Sequence, residues 1–233
     1  MLDIKENVAG VRERIASACG RCGRRPEDVK LLAISKTFPP ECIRAAYEAG
    51  LREFGENRVQ EAQAKRAVLS DLSITWHLVG HLQTNKARAA RELFQWVHSV
   101  DSFRLAQKLD QAASPGAGRL PVLLEVNLGR EESKAGVRET EIILLAEQVS
   151  RLATLELRGL MVIPPFFDDS ERVRPYFRRL RELAREIERR NIPNVSMGEL
   201  SMGMSHDFEV AIEEGSTVVR VGTAIFGARS GQK

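Results

Sequence analysis

The stretch 29-VKLLAISKTFPPECIRAAYEAG-50 decides how the chain is read. Its first eight residues are a short, largely apolar run with β-forming residues, too brief for a helix and bounded by turn residues. Pro39 and Pro40 then set a helix start, because proline lacks the amide hydrogen that a first helical turn leaves unused. ECIRAAYEA continues at helical spacing, and Gly50 supplies the stop. The unit is therefore a strand, a turn and a helix.

Outward from it, the same unit recurs. EFGEN (53–57) precedes a helical 58–69, and TWHLVG (75–80) precedes 84–93. WVHSVD (96–101) leads into FRLAQKLDQAA, and PVLLEVN (121–127) leads, after a polar loop, into a helix near 138–153. LELRGLMVI (155–163) precedes 170–190, GELSMGMS (198–205) precedes 206–214, and TVVRVGTAIFG (217–227) reads as a closing strand. Strands alternating with helices pair in parallel through right-handed crossovers. Eight such units over 233 residues predict an α/β fold of the (β/α)8 TIM-barrel type, for which ~250 residues is typical. An open doubly wound sheet is the competitor, but its glycine-rich first turn is replaced here by SKTFPP. Ile4, Val8, Val11, Ile15 and Ala18 place an extra helix ahead of the barrel. With no linker in between, the expected organisation is one domain over 1–233, a helical extension at 1–28 and the barrel at 29–228.

Composition narrows the partners. Lys+Arg total 35 against 32 Asp+Glu, a net charge of +3 that leaves no electrostatic footprint for nucleic acid. The N-terminus mixes charges of both signs and has no apolar signal-peptide core, and IILLA (142–146) is far too short to span a bilayer. Neither a membrane nor nucleic acid is an expected partner. Cys19, Cys22 and Cys42 are an odd number in a long chain, which points to a reducing cytoplasm. Cys19 and Cys22 form a C-x-x-C pair in a glycine-punctuated helix tail; no second pair completes a zinc site, so a structural role is expected. The segment 171-ERVRPYFRRLRELAREIERR-190 carries eight Arg, but Val173, Phe177, Leu180, Ala184 and Ile187 form one apolar stripe and four Glu are interleaved. It reads as the solvated face of an outer helix, laced by pairs such as Glu182 with Arg178.

In a barrel the chemistry belongs at the C-terminal ends of the strands. Only eight residues are Lys against 27 Arg, and Lys36 ends the first strand. Partial desolvation there favours the neutral amine, the nucleophile that condenses with carbonyls. Phosphate sites in barrels are often built after the last two strands. SMGMS (201–205) and RVGTAIFG (220–227) lie there, with Ser205 as the expected N-cap of a helix starting near His206, Gly222 for close backbone approach and Thr223 as a hydroxyl donor. Arg220 shares a strand face with Gly222 by the period of two. A strand-1 lysine beside a phosphate site suggests a phosphorylated aldehyde cofactor. His77 and His81 are four apart, but they flank Gly80 at a strand end without a nearby carboxylate in sequence, so no metal is expected.

The strings AISKTFP (33–39), EFGENRVQE (53–61), WHLVGHLQTNK (76–86), SKAG (133–136), GLM (159–161), ELSMGMSHDF (199–208) and RVGTAIFG (220–227) together resemble the pyridoxal phosphate homeostasis protein family. Those single-domain proteins are similar to the N-terminal barrel of alanine racemase. The likeness runs in order from about residue 29 to 228. It implies a fold-type III barrel with pyridoxal 5'-phosphate (PLP) on Lys36 as an internal aldimine. It further implies that Ser201 or Ser205, the Met202 backbone, Gly222 and Thr223 hold the phosphate, and that Arg220 faces the pyridine nitrogen or the phosphate side. Asn57 would line the ring, and Lys134 would lie near the cofactor in the loop after the fifth strand. The chain departs from the pattern at Ala135, where Ser is common, and at the C-x-x-C pair.

The resemblance implies reversible binding, buffering or delivery of PLP within the cytoplasm, by a monomer, with PLP-dependent apoenzymes as acceptors and without efficient turnover. Racemases of this fold type add a second domain whose residues supply the second acid or base. Only six residues follow Gly227, so two-base racemisation is not expected. A racemase-like PLP enzyme acting on amino acids remains the alternative, ahead of a cofactor-free barrel acting on a phosphorylated metabolite.

Overall fold

The strand–turn–helix unit at 29–50 folds as β1 (Lys30–Ile34) and α2 (Pro40–Glu48), with α1 (Ile4–Arg21) ahead of it. The computed structural model describes residues 3–129 and 135–228. Along the chain follow β2 (Glu53–Glu56), α3 (Val59–Val68), β3 (Thr75–Leu78), α4 (Ala87–Leu93), β4 (Trp96–Val100), α5 (Phe103–Gln111) and β5 (Leu120–Asn127). The two-residue β6 (Val137–Arg138), α6 (Ile142–Val149), β7 (Leu155–Val162), α7 (Arg174–Glu188), β8 (Val195–Met204), α8 (Phe208–Glu213), β9 (Val218–Val221) and α9 (Thr223–Phe226) complete it.

Eight of these strands close into an all-parallel barrel. The order runs β4-β3-β2-β1-β9-β8-β7-β5, and a β4–β5 pairing joins the ends, while β6 lies beside the end of β5. Every barrel strand is thus covered on both faces, which explains why the strands read as short apolar runs rather than as clean alternations. One set of side chains packs outward under the helices. Phe54, Leu78, Val97, Leu124, Leu160, Met202 and Val221 join Phe177 and Leu180 of α7 in one continuous core. The inward set differs. Among the described residues its apolar cluster is Leu32, Ile34, Val79 and Val218, whereas barrels usually fill this space with branched apolar residues. Polar side chains occupy much of the remainder.

α1 starts at Asp3, whose carboxylate accepts from the amides of Lys5 and Glu6. Its stripe of Val8, Val11, Ile15, Ala18 and Cys19 is buried against α2, α8 and α9. Cys19 ends inside this seam, where burial pushes its thiol pKa up. The Cys22 thiol donates to the Ala18 carbonyl at 3.3 Å. Cys19 is therefore not an activated thiolate.

Three expectations change. The last segment is not strand to 227: β9 stops at Val221, and Gly222 turns the chain into the four-residue α9. The β-branched residues of TVVRVGTAIFG continue past Gly222 to Thr223 and Ile225, which hides the break. Ser205 is not an N-cap, since α8 starts at Phe208 behind Asp207, whose carboxylate accepts from the Met204 amide at 2.6 Å. Arg178 does not pair with Glu182; it reaches across to Glu214 at 3.0 Å, and Glu182 pairs with Arg179.

Candidate functional site

The C-terminal strand ends share one rim, and the turn after β1 is its most constrained part. Lys36 is half-buried, two residues beyond Ile34. The next residue, Thr37, has φ +69°, a left-handed conformation that costs a β-branched residue ~1–3 kcal/mol unless its surroundings enforce it. They do so through a buried ion network. The Lys65 ammonium donates to the Ser35 carbonyl (2.8 Å), Glu56 Oε1 (2.7 Å) and Glu61 Oε1 (2.7 Å). Glu61 Oε1 also accepts the Thr37 amide at 2.5 Å, and Ser35 Oγ donates to Glu56 Oε1 at 2.7 Å. Burial pushes the Glu56 carboxyl up, outweighing its hydrogen bond to Lys65. The lysine turn is therefore clamped from α3 and β2, leaving little freedom in where the Lys36 side chain begins.

Beside it on the rim, the end of the neighbouring strand β9 approaches the end of β1. A Cβ added to Gly222 would lie 3.3 Å from the Ile34 carbonyl oxygen, so glycine there lets the two backbones touch. The amides of Gly222 and Ala224 both point at Ser205 Oγ, at 3.2 and 3.3 Å. Ser205, Gly222 and the exposed Thr223 thus form one polar cluster. A hydroxyl and two converging amides at a chain turn are the donor set a phosphate uses.

Arg220 lies deeper. Its guanidinium is buried, donating Nη1 to the Ser201 carbonyl (2.6 Å) and Ser201 Oγ (2.8 Å), and Nη2 to the Val162 carbonyl (2.8 Å). No carboxylate bonds it among the described residues. Burial pushes its pKa down to about 10, with Asp207 and Glu125 opposing at longer range. The guanidinium stays charged at neutral pH, and its partners are all uncharged. A cation held this way keeps an outward field for a ligand.

The same rim opens into a cavity of about 270 Å³ whose lining includes Asn57, Val79, Gly80, Glu125, Asn127 and Ile163 but neither Lys36 nor Arg220. Gly80 shapes it, since a Cβ there would come within 2.4 Å of the Asn57 carbonyl oxygen. Glu125 is only 5% exposed, and its Oε2 has no hydrogen-bond partner among the described residues. Burial, reinforced by Asp101 and opposed by Arg220, raises this carboxyl to about 7.

Of the residues singled out in the sequence, Lys36, Ser205, Gly222 and Thr223 stand on the rim and Asn57 lines the cavity. Ser201 lies inside the barrel on Arg220, away from the Ser205 cluster. The Met202 side chain faces the helices, and its carbonyl is occupied by Ser216 Oγ at 2.8 Å. Lys134 lies outside the described residues. His77 and His81 do not converge: His77 bonds Glu53 at 2.6 Å inside the barrel, and exposed His81 meets Asp101 at 3.1 Å. Sequence reasoning missed Glu53, His98, Glu125 and Lys65. The usable signal was the alternation itself, which places residues 53, 55 and 57 of β2 and its following turn on one face.

The residues present suit a phosphorylated aromatic aldehyde: an amine on a fixed turn, a phosphate-type donor cluster, an unneutralised buried cation and an adjoining cavity. Comparison with known proteins points the same way. The alanine racemase N-terminal domain family matches residues 7–230. The pyridoxal phosphate homeostasis protein of Aquifex aeolicus (strain VF5) is 48% identical, covering 96% of this chain and 97% of the relative. Its counterpart in Escherichia coli (strain K12) is 44% identical, with both chains covered in full. Among solved structures, PipY of Synechococcus elongatus PCC7942 with PLP bound superposes with a TM-score of 0.85 at 43% identity, covering 96% of this chain and 100% of PipY.

Proposed function

This chain belongs to the pyridoxal phosphate homeostasis protein family, and from that premise we propose that it binds PLP reversibly on Lys36 and serves as an intracellular reservoir and donor of the cofactor. The observation that carries the reading is the clamped turn. Lys65, Glu56 and Glu61 hold the backbone around Lys36 in a strained geometry, next to a donor cluster suited to phosphate and a cation with no carboxylate partner among the described residues.

When bound, PLP supplies an aldehyde that a neutral amine attacks, with loss of one water, in a reaction that hydrolysis reverses. The protein's own groups divide the remaining work. Ser205 Oγ and the amides of Gly222 and Ala224 offer hydrogen bonds to the phosphate, with Thr223 as a further hydroxyl donor at the same turn. Arg220 would direct its positive charge at the ring nitrogen. A guanidinium there cannot hand over its proton, so the nitrogen would stay unprotonated and the ring would be a weak electron sink. That favours holding the cofactor over turning over amino acids. Asn57 and the Gly80 backbone, which line the cavity, would bound the ring. Cytoplasmic residence, a monomeric state and PLP-dependent apoenzymes as acceptors complete the proposal. Among the described residues no helix is long and apolar enough to cross a membrane.

The experiment is an absorbance spectrum of the purified protein with added PLP, before and after borohydride, followed by peptide mapping. The expected result is a visible chromophore, fixed by reduction onto the peptide containing Lys36 and absent in Lys36→Ala. A label on another lysine, or a Lys36→Ala protein that keeps the chromophore, overturns the reading.

A further inference from the structure

Five polar groups run in single file through the barrel interior. Arg220 Nη1 meets Ser201 Oγ at 2.8 Å, Ser201 Oγ meets His98 Nδ1 at 2.9 Å, and His98 Nε2 meets His77 Nδ1 at 2.9 Å. His77 Nε2 then meets Glu53 Oε2 at 2.6 Å. β9, β8, β4, β3 and β2 each contribute one member. Ser201, His77 and His98 are essentially inaccessible. Glu53, the first residue of β2, opens at the N-terminal mouth, opposite the rim of Lys36. Lys30, Glu199 and Trp96 stand at that mouth as well. Lys30 pairs with Glu199 at 3.7 Å, and its ammonium lies 4.7 Å from the Trp96 ring centre.

One arrangement of protons satisfies the whole file. Arginine only donates, so Ser201 Oγ accepts from it. Burial keeps both imidazoles neutral, His98 more strongly than His77, so each carries one proton. Burial alone would raise Glu53, but the hydrogen bond from His77, with the Lys30 ammonium nearby, holds the carboxyl below its usual range. Facing a carboxylate, His77 must carry its proton on Nε2. Its bare Nδ1 then accepts from His98 Nε2–H, and the bare Nδ1 of His98 accepts the Ser201 hydroxyl proton. Every bond donates in the same direction, from Arg220 to Glu53. The reverse order needs a protonated Glu53 and leaves the Ser201 proton without an acceptor along the file.

We propose that Glu53, His77, His98 and Ser201 are positioning residues for Arg220: a one-way hydrogen-bond relay that makes a carboxylate at the far mouth the remote counter-charge of the cation facing the ligand. The proposal rests on the reading that Arg220 faces bound PLP. An aligned chain polarises each member in turn, so the effect of a terminal charge reaches further than bare Coulomb attraction would carry it. It also spares the guanidinium a direct carboxylate partner, which would compete with the ligand for the same nitrogens. The sequence gives the reason it was hidden: the partner of His77 is 21 residues away on the next strand, not His81.

Two measurements test it. In cofactor-free protein carrying ¹⁵N-histidine, nuclear magnetic resonance at pH 7 is expected to show His77 and His98 as neutral Nε2–H tautomers. An Nδ1–H tautomer or an imidazolium at either position overturns the relay. In PLP titrations, Glu53→Gln, which keeps the shape and removes the charge, is expected to weaken binding about tenfold and to shift the absorbance maximum of the bound cofactor. Lys30→Gln, at the same mouth but outside the file, is expected to stay within about twofold of wild type. Equal affinity in Glu53→Gln and wild type overturns the relay. The tautomers are read without cofactor, so a wild type that binds no PLP would overturn the functional reading and leave the relay to be decided by them.

Discussion

Arg174 and Arg220 carry the same guanidinium into opposite settings. Arg174, on the outer helix α7, bonds Glu171 at 2.7 Å, Glu213 at 2.7 Å and Glu214 at 3.2 Å. Its hydrogen bond to Glu171, with those to Glu213 and Glu214, holds its pKa above the usual range. The network continues through Arg178 and Arg181 onto Glu214 and through Arg21 onto Glu213 and Glu209, stitching α1, α7 and α8 together. Arg220, inside the barrel, meets only carbonyls and a hydroxyl among the described residues. The outer arginines are neutralised where they stand and their work is structural. The inner one is neutralised at a distance, and its field is left for something that enters the rim. Local charge balance, more than residue type, separates a coat from a site.

The sharpest way to break this comparison is Arg220→Met. The substitution leaves the Ser201 carbonyl, Ser201 Oγ and the Val162 carbonyl without their donor in a dry interior, where each orphaned acceptor costs ~1–3 kcal/mol. Loss of the buried charge's own desolvation offsets part of that. A net loss of about 3 kcal/mol is expected from denaturant unfolding, together with PLP affinity reduced at least tenfold, since a charge-assisted hydrogen bond contributes ~1.5–3 kcal/mol. A variant that unfolds more easily yet binds PLP normally would make Arg220 structural, like Arg174.

The architecture was legible because it depends on alternation, and eight short apolar runs separated by helical stretches leave few other topologies. Lys36 was legible for the same reason, at the end of the first run. What lay hidden depends on pairing across space. In 217–227 the β-branched residues continue past Gly222, and only the backbone turn there shows that Thr223–Phe226 is helix. Arg178 has Glu182 one turn away, yet Glu214 on the neighbouring helix is less exposed and already gathers Arg174 and Arg181, so the longer-range contact wins. His77 and His81 look like a pair along the chain, while the true pair, His77 with His98, is set by the neighbouring strands β3 and β4, where His77 lies opposite Trp96 and His98 follows two residues on along the same face. Ser201 and Ser205 looked interchangeable as phosphate ligands. One residue of irregularity between Ser201 and Met204 of β8 separates them, sending the first to Arg220 and the second to α9.

Glu125 sharpens the comparison from the acidic side, as an interior carboxyl without the cationic partners its counterparts on α8 enjoy. The folded protein holds its proton to about pH 7, more tightly than an unfolded glutamate at ~4.3. Its contribution to stability is therefore full below about pH 4, declines as pH rises toward 7, and stays lost above that. At ~1.4 kcal/mol for each tenfold change in proton affinity, the loss is of order 3 kcal/mol. Glu125→Gln, which keeps the shape and cannot ionise, is expected to raise the melting temperature at pH 8 and to flatten its decline between pH 5 and 8. The histidines act oppositely: His77 and His98, held neutral, contribute stability above about pH 6.5 that is lost as pH falls. An unchanged pH profile in Glu125→Gln would show that this carboxyl already ionises in the folded protein at neutral pH.

The smallest effect is expected at Arg174, and it closes the comparison from the other end. Arg174→Ala removes three ion pairs, but Glu214 keeps Arg178 and Arg181 and Glu213 keeps Arg21. No carboxylate is stranded in the interior by the change. Partly exposed pairs of this kind are screened by solvent, so a cost of about 1 kcal/mol is expected, or roughly 3 °C in melting temperature for a chain of this size. Half-molar salt should shrink the difference, because it screens the outer network and barely reaches the interior. PLP affinity should not move. A loss of affinity in Arg174→Ala would mean that the coat communicates with the rim through α8, and the division between neutralised and remotely neutralised arginines would fail at the place where it is best defined.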